Sequence, residues 1–369
     1  MKPVIFKKTI STLALFAIGY AGLHAQDNKK NTPAGDSLKV GDPAPPIAAR
    51  KWIKGNPVTA FKPGMVYVVE FWATWCGPCQ SAMPHLSELA RKYRGKAEVL
   101  SFDVREDKKT DFLPKVEQFV KWSGTRMDYT VAVDAESNVM VKTWLDASGS
   151  AGIPALFIVD RQGKIVWYGH PNHVDDVLEA VVNGQYDEAA KQRIEAALKM
   201  KEARYDTLSK AMMAAKGRGD YQKALAIVED IFPLFPGMRD YFSGLKYQFL
   251  NKMDPVAGRK FGDELMAQYS PRDQINLANL ALLTAPDSSR HPDYSFALKW
   301  AKLAAAKSDP DDKSPVQLLA QVYYYAGDKK KAVEYQEKLI QMIKNDPTHT
   351  LQGLQWAEKA LEKFKGAKG

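Results

Sequence analysis

Cysteine is almost absent from this chain of 369 residues, which contains only Cys76 and Cys79. A bridge between two cysteines so close in sequence closes a very short loop and adds only about 2 kcal/mol of stability, so a fold held together by disulfides is excluded. A structural zinc site needs four ligands, and His85 is the only histidine near the pair. Attachment of a c-type haem needs a histidine directly after the second cysteine, where Gln80 stands. Zinc is therefore disfavoured, and haem attachment is excluded.

A concentration of positive charge is also missing. The formal net charge is +9, and it falls to +6 if the first 25 residues are removed with their three lysines. Lysine and arginine are interspersed with aspartate and glutamate along the chain, so we expect no nucleic-acid partner. The chain has neither several membrane-length apolar segments nor a glycine-rich nucleotide motif, so it contains no electron source of its own.

The N-terminus has the composition of a secretion signal. Lys2, Lys7 and Lys8 precede an uncharged stretch over 9–25, whose apolar part is short for a membrane span. We predict a signal peptide over 1–25, with cleavage after Ala25, and a periplasmic or otherwise exported mature protein. Because Leu23 is bulkier than the usual residue at that place, an uncleaved membrane anchor is the alternative. Residues 26–38 have the composition of a linker.

Strand and helix patterns alternate from Lys39 to Gly184. Strand followed by helix and strand is typical of a parallel crossover unit, and a tight turn at 161–163 predicts an antiparallel hairpin. We therefore predict an α/β domain over 39–184, with a mixed sheet flanked by helices. The predicted strands are 66–72, 97–104, 155–160 and 164–168, and the predicted helices are 78–93, 113–122, 138–144 and 174–182.

Strand patterns stop after Gly184, and residues 185–369 predict an all-helical domain. Its weak internal repeat resembles a degenerate tetratricopeptide array, with an unrelated helical bundle as the alternative. Either could bind a protein partner or mediate self-association. Three consecutive tyrosines, Tyr323 to Tyr325, point about 100° apart on a helix, so at least one should reach the surface. The alanines that mark the repeat are Ala224, Ala257, Ala297 and Ala332.

The sequence WCGPC, from Trp75 to Cys79, follows the strand 66–72 and opens a helix. Free amides and the helix dipole at a helix N-terminus stabilise a thiolate, here that of Cys76. Pro78 fits the first helical turn, where its missing N–H is not needed. We expect Cys76 to be an exposed nucleophile and Cys79 a buried resolving thiol, with their redox-active disulfide as the only redox centre and no cofactor.

Glu70 lies within an apolar run, VYVVEFW, that predicts a strand buried on both faces. We therefore expect Glu70 to be buried, with a raised pKa and a role in proton transfer. The alternative is an ordinary strand residue that faces solvent.

The segment VVEFWATWCGPC, from Val68 to Cys79, resembles the active-site strand of thioredoxins. Glu70 stands where those proteins often place a buried acid, and Ile153 with Pro154 resembles their cis-proline loop. Residues 39–183 are most similar to extracytoplasmic thiol-disulfide oxidoreductases of the TlpA/ResA type, because of the Gly41 to Pro45 opening and the added segment 105–150. Members of that type commonly lack an acid at the place of Glu70.

This resemblance implies a thioredoxin fold and dithiol-disulfide exchange with a disulfide-bearing substrate protein. The resemblance implies that Cys76 attacks the substrate disulfide and that Cys79 resolves the mixed disulfide, with Glu70 as the proton acceptor. It also implies that Ile153 and Pro154 present backbone to the substrate and that Trp75 covers the site. A membrane electron donor would re-reduce the pair.

The Gly-Pro pair between the cysteines, as in thioredoxin, favours a reductase. The alternatives are an oxidase or isomerase, and a partner-binding scaffold with secondary redox activity. A peroxiredoxin-type peroxidase is disfavoured because Val69 and Ala73 stand where its proline and threonine are needed.

Overall fold

The structure, a computed structural model, describes residues 37–107, 111–150, 152–285, 287–288, 291–346 and 350–366, with the backbone alone at 287, 288, 291 and 292. The predicted signal peptide and residues 26–36 of the predicted linker lie outside the described residues. The described residues from Leu38 onward pack as one unit. No helix in the described part of the chain is long and apolar enough to cross a membrane.

A six-stranded mixed sheet forms the centre of the first half of the chain, in the order β1-β4-β3-β2-β5-β6. Strand β2 pairs in parallel with β3 and antiparallel with β5, and β3 pairs in parallel with β4. The two edge strands, β1 and β6, are antiparallel to their neighbours. The strands are β1 (Ala49–Lys54), β2 (Val66–Trp72), β3 (Ala97–Asp103), β4 (Thr130–Asp134), β5 (Ala155–Val159) and β6 (Ile165–Gly169).

Every residue of the central strand β2 is buried, because α-helices cover one face of the sheet and the short π-helical segment Val141–Asp146 packs on the other. Side chains alternate along a strand, so Val68, Glu70 and Trp72 share one face of β2. That face packs against α1 and α3, whereas Tyr67 and Phe71 face a second core that contains Trp144. The helices are α1 (Gly77–Lys92), α2 (Leu113–Ser123) and α3 (Val174–Val182). The mixed sheet between helices is a thioredoxin fold, as predicted.

Two strands of the sheet are absent from the prediction. The edge strand β1 pairs with β4, but its exposed charged residues interrupt the apolar pattern by which a strand is recognised in the sequence. Strand β4 has only five residues and lies inside the segment 105–150 that we interpreted as an addition, although all five are buried and complete the sheet. The predicted helix over 138–144 is present as a helical run over 139–146, which is π-helical over Val141–Asp146. The segment 105–150 is therefore in part a core element of the sheet.

Among the described residues of the second half, the regular elements are helices apart from two paired two-residue strands, Asp287–Ser288 and His291–Pro292. Consecutive helices pack against one another, as in α8 with α9 and α10 with α11. The helices are α4 (Glu188–Gly217), α5 (Tyr221–Ile231), α6 (Arg239–Met253), α7 (Pro255–Gln268), α8 (Pro271–Leu283), α9 (Ser295–Lys307), α10 (Lys313–Tyr325), α11 (Lys329–Lys344) and α12 (Leu351–Lys365). This confirms the predicted all-helical region.

Three of the four repeat alanines are fully buried, namely Ala224, Ala297 and Ala332. Ala257 is only half-buried, and the neighbouring Gly258 takes the close contact instead, against the backbone of Asn251. The prediction for the tyrosines is confirmed, because Tyr325 is 52% exposed while Tyr323 is buried.

The long helix α4 connects the two halves, and it contacts the cores of both. Its Ile194 packs against the core under the sheet, while Tyr205 and Met212 pack with α5 and α6. Lys201 of α4 also forms an ion pair of 2.6 Å with Asp176 of α3. The predicted domain boundary near Gly184 therefore lies in the short connection between α3 and α4.

We predict that Gly262→Ala destabilises the helical region, since an added Cβ on α7 would overlap the buried indole of Trp300 on α9. Overpacking of this kind costs about 1–3 kcal/mol, which exceeds the gain of up to about 1 kcal/mol from replacing a helical glycine. Urea unfolding followed by far-UV circular dichroism measures the difference.

Gly244→Ala in α6 is the matched control, because its Cβ would lie 3.5 Å from Leu280, an ordinary contact. Equal unfolding free energies for the two variants would contradict the overlap.

Candidate active site

Cys76 and Cys79 form a disulfide at the point where β2 gives way to α1. Cys76 is the N-cap residue of α1, and the Cys79 backbone N–H donates to its Sγ over 3.2 Å. Pro78 occupies the first turn, as predicted. The sulfur of Cys76 therefore faces an N–H group that no helical carbonyl uses, which favours negative charge on it after reduction.

Both cysteines are buried in this disulfide form. Cys79 is fully buried, as predicted, but Cys76 is only 4% exposed, so the expectation of an exposed Cys76 is wrong for this form. The sulfur atoms are covered because they belong to the core between the sheet and α1. Trp75 is instead the exposed residue of the motif, at 58%, and its Nε1–H donates to the Arg105 carbonyl over 3.2 Å.

The peptide bond between Ile153 and Pro154 is cis, as the resemblance implied, and it directly precedes β5. The carbonyl oxygen of Ile153 lies 3.8 Å from the Sγ of Cys76. Ile153 and Pro154 are both partly exposed. The structure thus brings an accessible stretch of backbone next to the disulfide.

Glu70 is completely buried at the centre of β2, on the face that α1 covers, as its apolar surroundings predicted. Its Oε2 accepts a hydrogen bond of 2.6 Å from the Ser101 hydroxyl on β3. Its Oε1 has no hydrogen-bond partner among the described residues. Burial raises the pKa of Glu70 to about 7, an effect that the Ser101 hydrogen bond opposes. Near neutral pH the group can therefore hold or release a proton.

Sequence reasoning missed the side chains that hold the loop before the cysteines. The Oε1 atom of Glu106 accepts two hydrogen bonds from Thr74. One comes from the Thr74 backbone N–H over 2.6 Å, and the other comes from the Thr74 hydroxyl over 2.7 Å. The other carboxylate oxygen of Glu106 accepts from Lys115 of α2 over 3.1 Å. On the opposite side, the Gln80 side chain donates to the Thr74 carbonyl over 2.8 Å. No sequence motif marks Glu106 or Gln80, since their function depends on contacts between distant segments.

A second acid, Asp103, is buried at the end of β3 and also escaped prediction. Burial, together with the nearby Glu106 carboxylate, raises the pKa of Asp103 to about 9. Asp103 is therefore protonated and uncharged at neutral pH. It adds no negative charge beside the Glu106 side chain that accepts from Thr74.

The model of the Redoxin family matches residues 39–182 of the chain. Protein FixW of Rhizobium leguminosarum is 34% identical over 161 residues, which span 43% of this chain and 72% of that protein. The thiol-disulfide oxidoreductase ResA of Bacillus cereus is 28% identical over 166 residues, spanning 44% of this chain and 85% of ResA.

Among solved structures, a thiol-disulfide isomerase from Corynebacterium glutamicum is 22% identical and has a TM-score of 0.33. The match covers 39% of this chain and 97% of the isomerase. A thiol:disulfide interchange protein from Bacteroides sp. is 24% identical and has a TM-score of 0.33. The match covers 41% of this chain and 95% of the interchange protein. The match to the family model lies within the α/β half of the chain.

We predict that Glu70→Gln is more stable than the wild type at neutral and higher pH. Folded Glu70 keeps its proton up to about pH 7, whereas the unfolded chain loses it near 4.5, so wild-type stability falls as pH rises through this window. Glutamine does not ionise, so the variant has no such loss of stability, and its side-chain oxygen can still accept the hydrogen bond from Ser101. The stability difference should grow from near zero below pH 4.5 to at most about 3 kcal/mol above pH 7.

Urea unfolding of both proteins between pH 4 and 8 measures this difference. Parallel stability curves for the two proteins would show that Glu70 does not change its ionisation on folding.

Proposed function

Because the chain belongs to the redoxin family, among the thioredoxin-like thiol-disulfide oxidoreductases of the TlpA/ResA type, we propose that it reduces disulfides in substrate proteins through Cys76 and Cys79. The observation that carries the proposal is the disulfide at the N-terminus of α1, with the Cys79 N–H on the sulfur of Cys76. The buried carboxyl of Glu70 on the same side of the sheet adds a proton acceptor. No cofactor beyond the cysteine pair takes part in this proposal.

In the proposed reaction, the Cys76 thiolate attacks one sulfur of the substrate disulfide. A mixed disulfide forms, and the other substrate sulfur leaves as a thiolate that takes up a proton. Cys79 then gives its proton to Glu70, directly or through water, and attacks Cys76. The Cys76–Cys79 disulfide forms as the bond between Cys76 and the substrate breaks, and the second substrate sulfur leaves as a thiolate that takes up a proton. Two electrons pass from the protein to the substrate.

Substrate binding would use the accessible backbone beside the disulfide. The Ile153 carbonyl lies close to Cys76 and directly before β5, so an extended substrate segment can pair with it as an added strand would. Pro154 sets the direction of that backbone, and the exposed Trp75 offers an apolar surface at the side of the site.

Reduction is the favoured direction because of the Gly-Pro pair between the cysteines. Thioredoxin, which has the same pair, lies near −270 mV, whereas the strong oxidant DsbA lies near −120 mV. An oxidase or isomerase is the second candidate. Continued reduction needs two electrons per cycle, and we propose that a membrane electron donor supplies them outside the cytoplasm. The apolar N-terminal segment after three lysines supports export or anchoring.

We further propose that the helical region serves partner binding or self-association. Its support is the series of consecutively packed helices whose marker alanines, Ala224, Ala297 and Ala332, are buried as close packing between tetratricopeptide-like helices requires. A scaffold with secondary redox activity remains the alternative, and it would bind its partner equally well with both cysteines replaced.

We predict that Cys76→Ser lowers the rate of insulin reduction by dithiothreitol to that of the uncatalysed reaction, because it removes the attacking sulfur. Cys79→Ser should instead accumulate a mixed disulfide between Cys76 and the substrate, because nothing resolves it. Non-reducing electrophoresis and mass spectrometry of the trapped species distinguish the two outcomes. Normal reductase activity in Cys76→Ser would overturn the proposed mechanism.

The midpoint potential of the cysteine pair should lie closer to −270 mV than to −120 mV. Equilibration in glutathione or dithiothreitol buffers, followed by alkylation of the free thiols, measures it. A value near −120 mV would assign the protein to the oxidases instead.

A further inference from the structure

An arginine from the α/β half is buried against the helical region, close to the cysteines. Arg126 lies in the 3-10 helix Gly124–Met127 that follows α2, and it is only 8% exposed. Its Nη1 forms an ion pair with Asp273 of α8. The Asp240 carboxylate of α6 also favours its charge, while Arg272 opposes it. A buried guanidinium needs such partners, so the helical region supplies the charge that lets Arg126 stay buried and ionised.

The same guanidinium holds the first turns of α1. Its Nη2 donates to the Gln80 carbonyl over 2.6 Å, and Gln80 directly follows Cys79. The Arg126 carbonyl in turn accepts from the Ser87 hydroxyl of α1 over 2.6 Å. Arg126 is thus attached to α1 at two places, and one of them adjoins the resolving cysteine.

Gln80 transmits this attachment to the loop that carries the attacking cysteine. Its backbone N–H donates to the Cys76 carbonyl over 3.1 Å, and its side chain donates to the Thr74 carbonyl over 2.8 Å. Thr74 is held from its other side by Glu106. An unbroken series of contacts therefore runs from Asp273 through Arg126 and Gln80 to the residues on either side of Trp75.

We propose that Asp273 and Arg126 are positioning residues for the redox site, so that the helical region takes part in setting the reactivity of Cys76. The inference rests on the proposed dithiol-disulfide exchange. Orientation of the first turn of α1 keeps the Cys79 N–H directed at the Cys76 sulfur. Loosening that turn weakens the hydrogen bond and reduces the thiolate fraction at a given pH.

The test compares Arg126→Met/Asp273→Leu with the wild-type protein. This double variant replaces the ion pair by apolar side chains, which keeps the contact filled, and Asp240 keeps Arg239 as a cationic partner. The measurement is the rate of alkylation of Cys76 in the fully reduced protein by iodoacetamide between pH 5 and 9, with mass spectrometry to assign the site. We expect about three- to tenfold slower alkylation near neutral pH, and a rate profile displaced to higher pH.

Three further variants separate positioning from a general effect on the contact between the halves. Asp273→Glu keeps the carboxylate and should recover most of the wild-type rate, whereas Asp273→Asn should not. Lys201→Met breaks another ion pair between the halves, with Asp176, that has no connection to Thr74 or Gln80. It should leave the profile unchanged. Far-UV circular dichroism and the unfolding midpoint verify that each variant is folded.

A folded double variant with the wild-type alkylation profile would overturn the inference. Equal slowing by Lys201→Met would do the same, because it would show a nonspecific effect of the contact. Failure of the wild-type protein to reduce insulin would instead overturn the proposed function, since alkylation of Cys76 requires no substrate disulfide.

Discussion

The first turn of α1 is the constraint on which the redox site depends. The first N–H groups of a helix have no helical partners, and in α1, which follows the buried strand β2 through a short loop, one of them meets the sulfur of Cys76. The strand before it is buried on both faces, so the position of this turn is fixed by the packing of the whole sheet. The contacts of Thr74 and Gln80 then hold the residues on each side. The thiol chemistry is therefore a property of a packed junction and not of the five-residue motif alone.

Much of the fold could be predicted from the sequence because its central elements have strong local patterns. Strand β2 and helix α3 have the predicted bounds, since a continuous apolar run and a helical apolar face identify them. Strand β4 is as long as β5 and β6, but no tight turn joins it to a partner strand as the turn at 161–163 joins those two. Strand β1 was missed because its charged residues face solvent at the sheet edge. These two strands are defined by pairing with each other, which no local window contains.

The candidate site divides in the same way. Cys76, Cys79 and Pro154 follow from motifs, and the burial of Glu70 follows from the apolar residues around it. Glu106 and Arg126 did not follow from the sequence, because their partners Thr74 and Gln80 lie 32 and 46 residues away. Motifs of this kind identify the reacting atoms, whereas the groups that orient them are specified only by the tertiary structure.

Helix α4 makes the connection between the two halves of the chain rigid. Thirty helical residues extend about 45 Å, and contacts with both cores hold the helix along its length. A flexible tether would let a protein bound to the helical region sample many distances from Cys76, and its effective concentration there would follow from tether length. A rigid connection fixes the distance and direction instead. A bound partner would then present only those disulfides that lie at one particular distance from its docking point. The helical region would thus select substrate disulfides by their distance from the site where the partner binds.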